Sequence, residues 1–440
     1  MSDGGRQRRR LTATITDLEV RRQRAFLIAA YDDDQDERER SLAELALLTE
    51  TAGSDPIETE LVRRPLPDPA TFIGRGKAAE LAAVTESLDI DVVVFDNSLT
   101  PAQQRNLQEI FGCDVVDREA LILDIFAQHA TSREGMLQVE LALLRYHLPR
   151  LRGQGTKLSR QAGGIGTRGP GETKLESDRR RILSRISKLE RDLRSLDSTR
   201  ATQRKARRKS DLAQAALVGY TNAGKSTLLN HLTGAAVLTQ DQLFTTLDPT
   251  VRRLDLGNRR AVLLSDTVGF VRRLPHSLVE AFRSTLEEVS QSDLMLHIVD
   301  AGEPSLDEQI AAVRSVLEEI GAAHLPELLV INKIDMVDDT ARARLARLYP
   351  DAVAVSALYG EGTEQLTAVV DEALQRRLKE VDLTIPYERG DILAAVHRAG
   401  EVVKEEHLPE GTRIHARLPE PRLAGFEEFA TPELAPETSG

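Results

Sequence analysis

Tryptophan is absent from the 440 residues, aromatic side chains make up 4% of them, and there is one cysteine, Cys113. A single cysteine excludes an internal disulfide and suits a reducing compartment. No stretch approaches the roughly 18 apolar residues that a membrane-spanning helix needs. The basic N-terminus MSDGGRQRRR has no apolar run behind it, so it does not read as a secretory leader. A cytoplasmic protein with no membrane span is therefore expected. Scarce aromatics also weigh against a surface that stacks single-stranded bases. Positive charge is short as well: the formal net charge is −12, which taken over the whole chain argues against a nucleic-acid partner.

The average hides an asymmetry. Residues 145–209 hold 20 Lys and Arg against 6 Asp and Glu, a local charge of +14 that leaves −26 for the remainder. Such a block is an electrostatic footprint for a phosphate-rich surface. Its only aromatic residue is Tyr146, so contacts to a folded RNA backbone suit it better than base stacking.

What is present in full is a set of nucleotide-binding motifs. The apolar run 215–218 leads into Gly219-Tyr220-Thr221-Asn222-Ala223-Gly224-Lys225-Ser226, and Thr227 opens a helical stretch. This is the strand, G-x-x-x-x-G-K-[ST], helix context of a phosphate-binding loop. Its glycines let the backbone wrap phosphates, and the helix N-terminus offers them unpaired N–H groups. Lys225 is expected to reach the β- and γ-phosphates. The polar loop Leu243-Phe244-Thr245-Thr246-Leu247-Asp248-Pro249-Thr250 follows, with Thr246 placed to sense the γ-phosphate. Next, an apolar strand ends in Asp266-Thr267-Val268-Gly269, a D-x-x-G sequence. Ser226, Thr246 and, through water, Asp266 are the expected Mg²⁺ ligands. A further buried strand ends in Asn332-Lys333-Ile334-Asp335, an N-K-x-D sequence. The Asp335 carboxylate suits the paired donors N1–H and N2–H₂ of guanine, which adenine lacks. Ser356-Ala357-Leu358 supplies a last loop for guanine O6. In this order and at strand ends, these segments describe a guanine-nucleotide domain. Lys225, Thr246 and Gly269 are its candidate catalytic residues, and GTP its substrate.

The rest of the chain is organised around that domain. Residues 1–18 and 31–40 read as charged loops. Strand-like runs at 25–30, 57–62, 91–96 and 113–116 alternate with helical patterns near 42–49, 78–88 and 101–111, which suggests a small α/β domain with a mostly parallel sheet. Gly74-Arg75-Gly76-Lys77 resembles a second phosphate loop, but its first glycine would have to stand at Thr71; a tight turn opening a helix fits better. Leu137, Leu141, Leu144, Leu148 and Leu151 repeat at heptad spacing, and so do Ile182, Ile186, Leu189, Leu193 and Leu196. The two seams predict an antiparallel helical hairpin, with Pro149 ending or kinking its first helix. The tip, Gly153–Gly171, has seven glycines and is bracketed or occupied by Arg152, Lys157, Arg160, Arg168 and Lys174. Nothing in it builds a core, so a partner is expected to order it. A basic linker over 197–211 leads to the nucleotide domain. Beyond it, a strand at 382–387, a helix at 390–406 and a strand at 412–418 predict a small β-α-β unit, and the Pro/Glu/Thr-rich end reads as disordered.

The expected fold class is thus α/β and multidomain: an N-terminal α/β domain (19–130), a helical hairpin with its loop and linker (131–211), a P-loop GTPase domain with a mostly parallel sheet and helices on both faces (212–379), a small C-terminal unit (380–427) and a tail (428–440).

The phosphate loop, L-F-T-T-L-D-P-T, D-T-V-G-F, N-K-I-D and the loop G-G-I-G-T-R-G-P-G-E-T-K together resemble the HflX family of ribosome-associated GTPases, over about residues 20–420. The resemblance implies that the N-terminal domain and hairpin engage the large ribosomal subunit and its rRNA near the peptidyl-transfer centre. It also implies GTP-dependent splitting or rescue of stalled ribosomes under stress. A monomer is expected. Thr246 matches the family's switch threonine, while Thr245 stands where many members carry a smaller residue. Phe270 follows D-x-x-G where many GTPases place a glutamine that orients the attacking water; phenylalanine cannot do so, and slow unassisted hydrolysis is expected. Asn222 stands where some GTPases with this substitution hold K⁺. One rival reading is a regulatory GTPase whose hairpin binds a protein partner. The other is an RNA-modifying enzyme gated by GTP, which would need a catalytic cysteine or a cofactor motif; Cys113 has no evident histidine partner.

Overall fold

In the computed structural model the described residues are 22–32, 34–151, 170–207, 212–234, 243–244, 250–257, 260–272, 289–376, 378–419, 423 and 425–430; for 170–175, 197–207, 399 and 419 the description is of backbone alone. The chain divides into two compact units, residues 1–122 and 123–440.

In the first unit, the continuous apolar run 25–30 forms the centre of β1 (Gln23–Tyr31), buried on both faces as the middle strand of a parallel sheet should be. α1 (Gln35–Thr51) leads to β2 (Ser54–Arg63), α2 (Arg75–Ser87) to β3 (Val92–Phe95), and α3 (Pro101–Phe111) to β4 (Asp114–Asp117). The sheet order is β2-β1-β3-β4, with every pairing parallel. Phe26, Phe95, Leu107 and Val115 centre the core. The stretch 31–40, expected as a loop, belongs largely to α1. Asp34 caps that helix by accepting from the Glu37 N–H, and Asp36 and Glu37 lie in its first turn, where negative charge is favourable. The charge that read as a loop signal is a helix-start signal. Gly74 precedes the first turn of α2, as a turn opening a helix.

α4 (Arg118–His129) is followed by α5 (Arg133–Arg150), which ends one residue beyond Pro149. α6 runs from Pro170 to Arg207. Leu137, Leu141, Leu144 and Leu148 pack against Ile182, Ile186, Leu189 and Leu193. Arg185 pairs with Glu140 and Arg145 with Glu190 beside the seam. Each pair joins like heptad positions, which meet across antiparallel helices; in a parallel pair, g faces e. The expected linker 197–211 is a correction: through Arg207 it continues α6, because Ala, Arg, Gln and Lys favour helix and no Gly or Pro interrupts them. Most of the tip, 152–169, lies outside the described residues, as do 1–21, 208–211 and 431–440.

The nucleotide-binding motifs fall on β5 (Ala213–Gly219), α7 (Lys225–Thr233), β6 (Thr250–Gly257), β7 (Arg260–Asp266), β8 (Leu294–Asp300), α8 (Leu306–Glu319), β9 (Glu327–Asn332), α9 (Asp339–Leu348), β10 (Val353–Ala354) and α10 (Thr363–Gln375). Sheet order is β10-β9-β8-β5-β7-β6, parallel except for the β6–β7 hairpin. β11 (Leu378–Ile385), α11 (Gly390–Ala399), β12 (Glu401–Leu408) and β13 (Gly411–Pro419) build an antiparallel sheet in the order β11-β13-β12. The single helix expected over 390–406 therefore stops at Ala399, and the β-α-β unit gains a strand. β12 carries the adjacent β-branched pair Val402-Val403 and is held by pairing with β13, a non-local preference that outweighs helical periodicity.

Candidate functional site

In an open parallel sheet, ligands bind outside the carboxyl ends of the strands. Gly219, Asp266, Asp300 and Asn332 are the last residues of β5, β7, β8 and β9, and Ser356 follows β10 closely. All the described motif residues therefore gather at one edge.

The loop 219–224 turns tightly onto α7. Asn222 and Gly224 both adopt left-handed backbone (φ 59° and 92°), which asparagine tolerates and glycine adopts freely. A Cβ on Gly224 would also collide with the Asn332 amide. Lys225 is buried, and its ammonium donates to the carbonyls of Gly219 (3.1 Å) and Tyr220 (2.7 Å). Burial pushes its pKa down to about 8, against the opposing pull of the Asp266 carboxylate. A cation held this way is aimed into the loop and costs desolvation energy that a bound anion offsets.

Ser226 donates its hydroxyl to Asp266 Oδ2 at 2.5 Å, and the Asp266 side chain is fully buried. A hydroxyl and a carboxylate brought together are hard oxygen donors of the kind Mg²⁺ takes. Thr267 Oγ1 donates to the Leu217 carbonyl, tying the D-x-x-G segment to β5. The Phe270 N–H donates to the Gly219 carbonyl (3.1 Å), and the Thr221 N–H donates to the Phe270 carbonyl (2.7 Å). This short bridge draws Gly269 so close that an added Cβ would lie 2.8 Å from Thr221 Cα and 3.0 Å from Lys225 Nζ. Only glycine fits there. Val268 is buried beside it, and the Phe270 ring is buried in the core that also takes in Leu217, Val218 and, from the phosphate loop, Tyr220 and Ala223.

At the other side of the edge, Asn332 uses both ends of its amide. Nδ2 donates to the Ala223 carbonyl (2.8 Å), and Oδ1 accepts from the Ala357 N–H (2.9 Å). One buried side chain thus clamps the phosphate loop to the 356–358 loop. Lys333 has left-handed backbone (φ 59°) and starts a 3-10 turn, Ile334–Met336, which carries the half-exposed Asp335. Ser356 is buried, whereas Leu358 is 67% exposed.

Known proteins match this sequence segment by segment. Models described as GTP-binding GTPase N-terminal, GTP-binding GTPase Middle Region and 50S ribosome-binding GTPase match residues 39–127, 129–207 and 214–333. The GTPase HflX of Caldanaerobacter subterraneus subsp. tengcongensis is 45% identical over 397 residues, covering 90% of this chain and 91% of its own. That of Escherichia coli K12 is 43% identical over 401 residues, covering 90% and 94%. The chain belongs to the HflX family of GTPases. A GTP-binding protein from the hyperthermophilic archaeon Sulfolobus solfataricus, solved in complex with GDP, is 26% identical, covers 80% of this chain and 99% of its own, and has a TM-score of 0.44. As an HflX-family GTPase, the chain binds GTP and hydrolyses it to GDP and phosphate.

Three features of this GTPase escape a motif reading. Phe244 has left-handed backbone (φ 61°), which is strained for an aromatic residue, and is buried with its ring 4.6 Å from that of Phe126 on α4, edge to face. Arg272 donates to Ser305 Oγ (2.6 Å) and Glu308 Oε2 (2.9 Å), fixing the chain just beyond D-x-x-G to the start of α8. Asp300 pairs with Lys333. Its place at the carboxyl end of the strand L-M-L-H-I-V-D was the one available sequence signal. Thr245 and Thr246 lie outside the described residues, and Thr227 sits half-buried in the first turn of α7.

Proposed function

We infer that this GTPase binds the large ribosomal subunit and uses GTP binding and hydrolysis to dissociate or rescue stalled ribosomes. The observation that carries the reading is the joining, in one chain, of the edge built around Lys225, Asp266 and Asn332 to the long basic helix α6. A hairpin that carries positive charge but no base-stacking aromatics suits rRNA backbone. The family description "50S ribosome-binding GTPase" supports the same partner. In this reading residues 19–130 and the hairpin 131–211 form the ribosome-facing part, with the Gly153–Gly171 loop at its tip, and residues 212–379 form the switch.

At the site, residues 219–227 wrap the phosphates, with Lys225 on the β- and γ-phosphates. Ser226, Thr246 and, through water, Asp266 would hold Mg²⁺, which would neutralise charge building on the transferred phosphoryl group. Thr246 and Gly269 contact the γ-phosphate. For Gly269 to do so, the bridge from Phe270 to the phosphate loop must open, because it holds Gly269 against Lys225 in the structure. Asn222, exposed on its left-handed turn, is the K⁺ candidate. The competing idea of an RNA-modifying enzyme gains nothing from Cys113: burial, with Asp114 adding to it, pushes that thiol up to about 11, so little thiolate exists at neutral pH.

The deciding experiment measures GTP turnover with purified large subunits, small subunits and neither. Stimulation by large subunits is expected; a cosediment that survives nuclease and high salt would point to a protein partner instead.

Two variants examine the nucleotide site. Asp335→Asn is expected to weaken GTP and strengthen XTP binding in calorimetry, because an amide faces N2–H₂ poorly but suits the exchanged carbonyl. Unchanged GTP affinity would remove Asp335 from the base site. Phe270→Ala is expected to change single-turnover hydrolysis only several-fold, with ribosome stimulation retained, since the buried ring has no group to orient water. A loss of about a thousandfold at intact affinity, roughly 4 kcal/mol, would give the ring a direct role. Rates in potassium should exceed those in sodium, and equal rates would discard the Asn222 site.

A further inference from the structure

Asp300 lies in none of the five nucleotide-binding motifs, yet it stands at their edge. It ends β8, and its register partner on β9 is Asn332. The Ala301 N–H donates to the Asn332 carbonyl (2.8 Å), so the two strand ends are joined through backbone. One carboxylate oxygen, Oδ1, accepts from the Gly302 N–H (2.9 Å), which stops the side chain from swinging. The other, Oδ2, meets Lys333 Nζ at 2.8 Å. Both side chains are about 30% exposed, at 27% and 30%, so the pair contributes little to global stability.

Its effect is local. Lys333 is a non-glycine residue in left-handed backbone, a conformation that persists only where its surroundings impose it. On its N-terminal side the chain is fixed by Asn332, whose amide is satisfied at both ends. On its C-terminal side, the Met336 N–H returns to the Lys333 carbonyl (2.9 Å) and closes the turn that displays Asp335; the Ile334 N–H donates to the Val355 carbonyl. The Lys333 side chain is the remaining freedom of this corner, and Asp300 removes it.

We propose that Asp300 is a positioning residue for guanine recognition, acting through Lys333 to hold the turn that presents Asp335. This rests on the assignment of residues 332–335 to the base site. Asp300→Asn separates the two jobs of the carboxylate, since an amide oxygen still accepts from Gly302 while the charge on Lys333 is lost. Release of fluorescent GDP and of its hypoxanthine analogue IDP is followed for wild type, Asp300→Asn, Lys333→Ala and the double variant. Asp300→Asn is expected to speed GDP release on the order of fivefold, the scale of one partly exposed ion pair. IDP release should change less, because IDP lacks the amino group that Asp335 engages. The effect should appear in KM for GTP rather than kcat, and the double variant should release GDP no faster than Lys333→Ala alone. Wild-type GDP release from Asp300→Asn, equal acceleration for both nucleotides, or additive effects in the double variant overturns the proposal. If Lys333→Ala itself leaves release unchanged, the base-site assignment fails along with it.

Discussion

Alanine in place of Lys225 is expected to lower kcat/KM for GTP by about 10²- to 10³-fold, the loss that follows removal of one preorganised donor from developing charge. Affinity and turnover should fall together, because the ammonium contacts phosphate both before and during transfer. The pH dependence separates this effect from simple unfolding. Burial holds the Lys225 pKa down at about 8 in the free protein, and a triphosphate beside it favours the charged form. GTP affinity should therefore be level below about pH 8 and decline above it, and binding near pH 8.5 should take up a proton. Calorimetry in buffers of different ionisation enthalpy measures that uptake, and Lys225→Ala should abolish it. The sign for stability is the reverse of the one for binding. The folded protein binds fewer protons than the unfolded chain between about 8 and the ordinary value of 10.5, so this group's contribution to stability rises with pH across that window. At neutral pH the buried charge costs stability, and alanine removes the cost. A variant that melts far below wild type would mean that the two carbonyl contacts matter more than the charge.

Deleting Gly153–Gly171 and joining α5 to α6 by a short turn is the second large effect. Nucleotide affinity should be retained, since the described hydrogen bonds of Lys225 and Asn332 run to Gly219, Tyr220, Ala223 and Ala357. Ribosome cosedimentation should drop sharply. Lys157, Arg160 and Arg168 go with the loop, so the slope of log affinity against log salt should become shallower by about 2–3, close to one unit per lost phosphate contact. Normal binding to large subunits would make the hairpin a scaffold and reassign the ribosome contact elsewhere.

Where a property is local, the sequence determined it alone. The phosphate loop, D-x-x-G and N-K-x-D are legible because each needs particular residues at fixed short spacing. The hairpin seam is legible because a heptad repeat states its own periodicity, and Leu141, Ile186 and Leu189 meet as expected. Asp34, Asp36 and Glu37 start a helix where their charge alone reads as loop, a local signal, whereas Val402-Val403 lies in a strand fixed by non-local pairing with β13.

The tertiary structure decided what the motif residues are held against. Asn332 reaches Ala223 across 109 residues of chain, and Asp300 meets Lys333 from a neighbouring strand end. Phe270 reads in sequence as a missing glutamine; in the fold, its backbone bridges the phosphate loop while its ring enters the core. Phe244 and Phe126 carry no signal of each other at all. Contacts of this kind depend on strand order and register, which are set by the packing of the whole sheet. A pattern that repeats every two or 3.6 residues specifies which face of an element is buried, but not which distant side chain will lie against it.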